Sequence, residues 1–78
     1  MVLKFKTNSR YYANGSEDFQ DNWCFMDGIA VANIYYDKSI EATVAVLEFD
    51  SKPSIKVALN DEAYLLNENG KTIEKVGG

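Results

Sequence analysis

Histidine is absent from this chain of 78 residues, and cysteine, proline and tryptophan each occur only once. Histidine is the side chain that most often transfers protons near neutral pH, and it is a common zinc ligand. A single cysteine, Cys24, cannot form an intramolecular disulfide, and here it also lacks the base that usually activates a nucleophilic thiol. We therefore expect a protein that is not an enzyme and that uses no metal or other cofactor.

Phosphate-binding and calcium-binding motifs are missing as well. The five glycines form no phosphate-binding loop, and the spacing of the acidic residues matches no calcium loop. Paired acids such as Asp61 and Glu62 are interpreted as part of a solvated negative face. Cys24, between Trp23 and Phe25, is interpreted as a small buried hydrophobic residue.

Long apolar segments are also lacking. No run approaches the roughly 18–20 residues that a helix needs to cross a bilayer. The N-terminal residues 1–6 are too short and too charged for a signal peptide. One unpaired cysteine is typical of a reducing compartment. We expect a soluble protein, without membrane contact, in the cytoplasm of a cell or of an infected host. The length predicts a single domain over 1–78, with 77–78 as a frayed tail.

Charge is present but unevenly distributed. The net charge is −4, and residues 17–62 carry ten acids against three lysines, whereas residues 1–16 carry only basic charges. A negative field repels phosphate backbones, so we expect no direct binding to nucleic acid. The same field attracts and steers a basic protein partner.

Alternating apolar residues predict a small β-rich domain, all-β or α+β. The pattern indicates five to six short, mainly antiparallel strands in a curved sheet or partly open barrel, with at most one short helix near 16–26. Apolar residues occupy both faces of the run 40–50, as in a strand covered on two sides or at a dimer contact. The predicted strands are 2–7, 24–36, 40–50, 54–59, 64–66 and 71–76.

Two segments allow both a helix and an extended structure. Ser16 followed by Glu17 and Asp18 is typical of a helix start, so we favour a short helix or turn over 16–22 that leads into a strand near 24. Residues 60–70 fit either a capped helix or part of a hairpin. We favour a hairpin across Asn69-Gly70, because Asn-Gly between alternating residues is a strong hairpin signal.

Seven of the ten aromatic residues lie between positions 11 and 36, interleaved with acids. We expect the middle of this window, Phe19 to Met26, to fill the core. Adjacent tyrosines cannot both point inward on a strand, so each tyrosine pair should expose at least one ring. Exposed tyrosines beside carboxylates suit a protein interface. The predicted partner-binding residues are Tyr11, Tyr12, Glu17, Asp18, Asp21, Tyr35, Tyr36 and Asp37.

These features predict a non-catalytic acidic protein that binds and inhibits or regulates a basic, nucleic-acid-handling protein, as small phage or mobile-element accessory proteins do. One alternative is a structural accessory subunit that forms a homodimer through the strand 40–50. Another follows from the C-terminal Gly77-Gly78, which resembles the tail of ubiquitin-like modifiers and sulfur carriers. That resemblance implies adenylation of the terminal carboxylate.

Overall fold

The computed structural model describes residues 1–6, 9–13, 16–19, 23–59 and 62–76, with the backbone alone for 11–13 and 16–19. These residues form nine β-strands and no helix. In chain order the strands are β1 (Val2–Phe5), β2 (Arg10–Ala13), β3 (Ser16–Phe19), β4 (Cys24–Met26), β5 (Ile29–Asp37), β6 (Ala42–Phe49), β7 (Ile55–Leu59), β8 (Ala63–Leu66) and β9 (Thr72–Val76).

The strands form two antiparallel sheets. One sheet has four strands in the order β4-β1-β8-β9, and the other has five in the order β3-β2-β7-β6-β5. Along the described strands, the chain passes from one sheet to the other between β1 and β2, between β3 and β4, between β4 and β5, and between β7 and β8. At the crossing between β4 and β5, the ammonium of Met1 donates a hydrogen bond to the carbonyl of Ile29 at 2.8 Å. The amide of Ile29 donates a hydrogen bond to the carbonyl of Met1 at 3.1 Å. The start of β5 is therefore tied to the N-terminus.

The core lies between the two sheets and is largely aliphatic. The two-residue period of β1 places Leu3 and Phe5 inward, where both are fully buried. Leu47 of β6 and Val57 of β7 face them from the five-stranded sheet and are equally buried. The complete cluster consists of Leu3, Phe5, Ile29, Ala45, Leu47, Val57, Leu59, Ala63 and Val76.

Strand β6 is buried on both of its faces. Ala45 belongs to the core between the sheets, and its neighbour Val44, on the opposite face, is also fully buried. This agrees with the expectation that the run 40–50 is covered on two sides. The strand pairs with β5 and with β7, so both of its edges are occupied. A dimer that forms by strand pairing must therefore use another strand.

The predicted hairpin across Asn69-Gly70 is confirmed, and a second hairpin joins β5 to β6. Strands β8 and β9 pair across residues 67–71, where the side chain of Asn67 accepts hydrogen bonds from the amides of Asn69 and Lys71 at 2.9 and 3.0 Å. Gly70 in this turn has φ 79°, a left-handed conformation that glycine adopts without a steric cost. Strands β5 and β6 pair across residues 38–41.

The fold class expected from the sequence, a small β-rich domain with mainly antiparallel strands, is confirmed, although the strands are more numerous than the five or six expected. The helix or turn favoured over 16–22 is wrong for 16–19, which form β3 and pair with β2. This pairing satisfies the backbone groups that a helix would have satisfied internally. The strand expected over 24–36 is divided at Gly28, which has φ 75°. Residues 20–22 and 60–61 lie outside the described part of the chain.

The aromatic residues expected in the core are on the surface where their side chains are described. Trp23 is 39% exposed and Phe25 is 60% exposed, because β4 is an edge strand and both rings lie on its outer face. Met26 packs against the core, as expected, and so does half-buried Cys24. Burial raises the pKa of the Cys24 thiol, which agrees with its interpretation as a hydrophobic residue.

The resemblance to ubiquitin-like carriers is limited to the tail. Such proteins have a central helix, whereas the described residues contain only strands and turns. Gly77 and Gly78 themselves lie outside the described residues. No helix in the described part of the chain is long and apolar enough to cross a membrane.

We expect Leu47→Ala to destabilise the protein by about 2–5 kcal/mol, because it removes a fully buried side chain and leaves a cavity between the sheets. The matched control is Ile73→Ala on β9, where the side chain is 55% exposed. The control should change stability by no more than about 0.5 kcal/mol. Urea unfolding measures both variants. Equal effects in the two variants would contradict the assignment of the core.

Candidate functional site

The structure separates the predicted partner-binding residues into two groups. Tyr11 and Tyr12 lie on β2, with backbone partners Asp18 and Glu17 on β3, so these four form one hairpin. The second group, Tyr35, Tyr36 and Asp37, lies at the end of β5. Strands β7 and β6 separate β2 from β5, so the two groups lie towards opposite edges of the five-stranded sheet. Asp21 lies outside the described residues.

The second group lies at one edge of the five-stranded sheet. We call this edge the tyrosine edge and define it as Val31, Tyr35, Tyr36 and Asp37 of β5 with Ile40 of the following turn. Tyr35 is 40% exposed and Tyr36 is 60% exposed. Their side chains point to opposite faces of the strand. Both rings are accessible because β5 is the last strand of its sheet, so no further described strand lies beside it.

The backbone of β5 also has a free edge. The strand is nine residues long and pairs with β6 on one side. On the other side, Met1 bonds only to Ile29, and from Val31 to Asp37 no described strand pairs with it. Natural edge strands are usually short or protected by charges, whereas this one has no charged residue before Asp37. Among the described strands, the backbone of β5 from Val31 to Asp37 therefore has neither a strand neighbour nor a charged side chain before Asp37 on this side.

Asp37 is held in one orientation at the end of this edge. Its Oδ1 accepts hydrogen bonds from the Ser39 hydroxyl at 2.6 Å and from the Ser39 amide at 2.9 Å. The hydrogen bond from the Ser39 hydroxyl lowers the pKa of Asp37 most, and the hydrogen bond from the Ser39 amide lowers it further. The positive charge of the nearby Lys56 ammonium adds to this shift. The carboxylate is thus held in its charged form on the same face of β5 as Tyr35.

An open depression of about 250 Å³ lies next to this carboxylate. Its described lining includes Asp37, Ser39, Ile40, Lys56 and Ala58. One wall is formed by the apolar side chain of Ile40, which is 48% exposed. The tyrosine edge therefore offers a partner two aromatic rings, a fixed carboxylate and a shallow apolar recess.

A second aromatic surface lies on the outer face of the four-stranded sheet. Backbone register aligns Phe25 of β4, Lys4 of β1, Tyr64 of β8 and Lys75 of β9 in one row across all four strands. We call these four residues the lysine–aromatic row. Rings and ammonium groups alternate along it, at strand intervals of about 4.8 Å.

The ammonium of Lys4 lies among the rings of this surface. Its Nζ is 4.9 Å from the ring centroid of Trp23, 5.8 Å from that of Phe25 and 5.9 Å from that of Tyr64. The Nζ of Lys6 lies 5.6 Å from the Trp23 centroid. These are cation–π distances, so the ammonium groups and the rings hold one another in place.

Tyr64 is oriented further by Glu62. Its hydroxyl donates a hydrogen bond to Oε2 of Glu62 at 2.9 Å, which raises the pKa of the Tyr64 phenol and keeps it protonated. The rings of Trp23 and Tyr64 lie 6.3 Å apart and are tilted by 33°. Together these contacts make the surface a rigid array of rings and charges.

Sequence reasoning missed this surface because it placed Trp23 and Phe25 in the core. A signal was available: the strand interpretation puts Cys24 and Met26 on one face, and therefore puts Trp23 and Phe25 together on the other. The alternation of Leu3 and Phe5 with Lys4 likewise indicates a lysine on the outer face. Val31 and Ile40 of the tyrosine edge were also missed, since a single exposed aliphatic residue has no distinctive sequence pattern.

We expect Ser39→Ala to raise the pKa of Asp37 towards its ordinary value of 3.8, because the variant removes the hydroxyl hydrogen bond. A lowered carboxyl pKa contributes stability above the unfolded value, and this contribution is lost as the pH falls through the lowered value. In the variant this contribution should therefore be smaller, and its loss on acidification should be complete at a higher pH. NMR titration of the Asp37 carboxyl measures the shift. Ser51→Ala, in the β6–β7 bend, is the control, and equal titration in both variants would contradict the prediction.

No group of three or more carboxylate or thiol side chains that could hold a metal ion occurs within the described ranges. Both surfaces present aromatic rings and charged groups, and the tyrosine edge also presents an unpaired backbone edge among the described strands. Comparison with protein-family models, with curated proteins and with solved structures finds no match for this chain.

Proposed function

We propose that this protein is a non-catalytic, acidic binding domain that inhibits or regulates a basic protein, and that the tyrosine edge is its primary contact surface. A partner that handles nucleic acid fits best, since carboxylates can occupy a channel that otherwise receives phosphates. Small cytoplasmic accessory proteins of phages and other mobile elements have this character. The Tyr11, Tyr12, Glu17 and Asp18 hairpin at the other side of the sheet remains a second predicted contact.

The observation that carries the proposal is the free edge of β5 with Tyr35 and Tyr36 exposed on its two faces. An added strand from a partner would satisfy the backbone groups from Val31 to Asp37, while the two rings would contact the partner on both faces. Strand addition of this kind takes its affinity from backbone hydrogen bonds and its specificity from side chains. Tyrosine is also among the residues that contribute most to interface energy.

Charge supports a basic partner. The net charge of −4 favours approach of a positively charged surface, and Asp37 offers a carboxylate that is already oriented by Ser39. Preorganised groups cost less entropy on binding than mobile ones. Such attraction is screened by salt, with a Debye length of about 10 Å at 0.1 M and 3 Å at 1 M.

We expect the double variant Tyr35→Ser, Tyr36→Ser to lose partner binding while keeping its fold, because both rings are already exposed to water. The partner is first captured by wild-type protein from a lysate of the source organism, identified by mass spectrometry and purified. Titration calorimetry then compares the variants. Loss of two anchoring tyrosines should weaken binding at least about 30-fold, since an anchor contributes about 2 kcal/mol or more. Ile73→Ser, an equally exposed position on the other sheet, is the control.

A pair of substitutions at Val31 tests the edge and the charge separately. Val31→Lys and Val31→Glu both place a charge on the exposed β5 edge, and both should weaken strand addition. If the partner is basic, the lysine variant should bind more weakly than the glutamate variant, and the difference should shrink between 50 and 500 mM salt. Equal binding of the two variants, or binding to wild type that salt does not affect, would disprove a basic partner.

The second candidate is a homo-oligomeric accessory subunit. The same free edge favours it, because two copies of β5 could pair antiparallel about a two-fold axis. Such a dimer uses β5 in place of the strand 40–50. Sedimentation equilibrium distinguishes the two functions: a dimer of the wild-type chain that Val31→Lys converts to monomer supports the subunit, whereas a monomer at all concentrations excludes it.

A further inference from the structure

We propose that the lysine–aromatic row is a binding site for single-stranded nucleic acid. The site lies on the four-stranded sheet, apart from the tyrosine edge, and goes beyond the protein-binding function proposed above. The bases would stack on the exposed rings of the row and of Trp23, and phosphates would contact the lysine ammonium groups. Proteins that bind single strands combine these same two elements, aromatic stacking surfaces and a positively charged track.

The spacing of the row suits an extended strand of nucleotides. Phe25 and Tyr64 are two strands apart, so their rings are separated by roughly 10 Å, and Lys4 lies between them. Lys75 continues the alternation on the far side of Tyr64. A chain that crosses the sheet strands would therefore meet a ring and a cation in turn, and the whole row is roughly 14 Å long.

A depression along the row provides room for a base. Its volume is about 370 Å³, and its described lining includes Trp23, Phe25, Tyr64, Leu66 and Thr72. This volume is within the range of about 300–1,000 Å³ found for small-ligand sites. Phe25, at 60% exposed, presents a large ring to solvent, and an exposed ring is a surface on which a base can stack.

The local charge of this surface is opposite to that of the whole chain. Lys4, Lys6 and Lys75 lie outside the acidic segment 17–62 on which the expectation against nucleic acid was based. Among the described residues that line the depression, Glu62 is the only acid, and its Oε2 accepts the Tyr64 hydroxyl. Because charges are screened beyond about 8–10 Å, a phosphate on the row experiences mainly these nearby lysines.

The contacts argue against two other ligands. A methylated ammonium group on these rings would be repelled by the Lys4 ammonium, which lies 4.9 Å, 5.8 Å and 5.9 Å from the centroids of Trp23, Phe25 and Tyr64. An acidic peptide would match the lysines but would leave the rings of Trp23 and Phe25 without a planar partner. A nucleic acid strand supplies a phosphate and a planar base in every unit, so it matches both.

The sole tryptophan makes the proposal directly measurable with the full-length chain. Titration with a 12-nucleotide oligothymidine at 20 mM salt should quench Trp23 fluorescence as a base stacks on the ring. Three lysine–phosphate contacts predict a slope of about −2 for log K against log salt. Phe25→Ala should weaken binding by about 5- to 150-fold, and Lys4→Gln should lower the magnitude of the slope by about 0.7. Circular dichroism verifies that both variants are folded.

Matched controls separate this site from general attraction and from the tyrosine edge. Tyr36→Ala removes an equally exposed ring on the other sheet, and this variant should bind the oligonucleotide as the wild type does. Loss of protein-partner binding in this variant would therefore not affect the test of the nucleic acid site. An abasic oligonucleotide and polyglutamate should each fail to quench Trp23. Equal binding of polyglutamate would instead indicate an acidic protein partner and overturn the proposal. Absence of oligothymidine binding at 20 mM salt, or binding that Phe25→Ala leaves unchanged, would also overturn it.

Discussion

Leu3 and Phe5 pack between the two sheets, and their burial determines what the rest of β1 does. β1 is an inner strand, between β4 and β8, so the strand cannot rotate without losing hydrogen bonds on both sides. The two-residue period then directs Lys4 to the outer face, where Phe25 and Tyr64 are its cross-strand neighbours. The packing that stabilises the core therefore also assembles the lysine–aromatic row, because the core and the row both require the same orientation of β1.

The distribution of aromatic residues follows from where the core obtains its volume. Aliphatic side chains supply most of the described core cluster, and Phe5 is its one fully buried aromatic residue. The sequence predicts that Trp23 and Phe25 fill the core, yet both are exposed to water, as is Tyr36. Keeping such large apolar surfaces exposed forfeits the stabilisation that burial would provide. This exposure is the observation on which the proposed contact surfaces rest.

Much of the fold was readable from the sequence where a local signal agrees with the tertiary contacts. The alternation in β1 and the Asn69-Gly70 turn are such cases. Ser16 to Phe19 is the opposite case: Ser16, Glu17 and Asp18 suit a helix start locally, but β3 is stabilised by pairing with β2. That pairing depends in turn on the register of β2 with β7, more than forty residues away. No short sequence window contains this information.

The candidate sites show the same division. Exposure at Tyr35 and Tyr36 was predictable, because adjacent residues on a strand face opposite sides. The lysine–aromatic row was not, since Lys4 comes from the first strand, Tyr64 from the eighth and Lys75 from the ninth. Net charge is a sum over the chain and ignores position, whereas a ligand responds to the charges within a few ångströms. Pairing of β1, β8 and β9 brings basic residues from both ends of an acidic chain to one face, so the local charge of this face is a property of the fold.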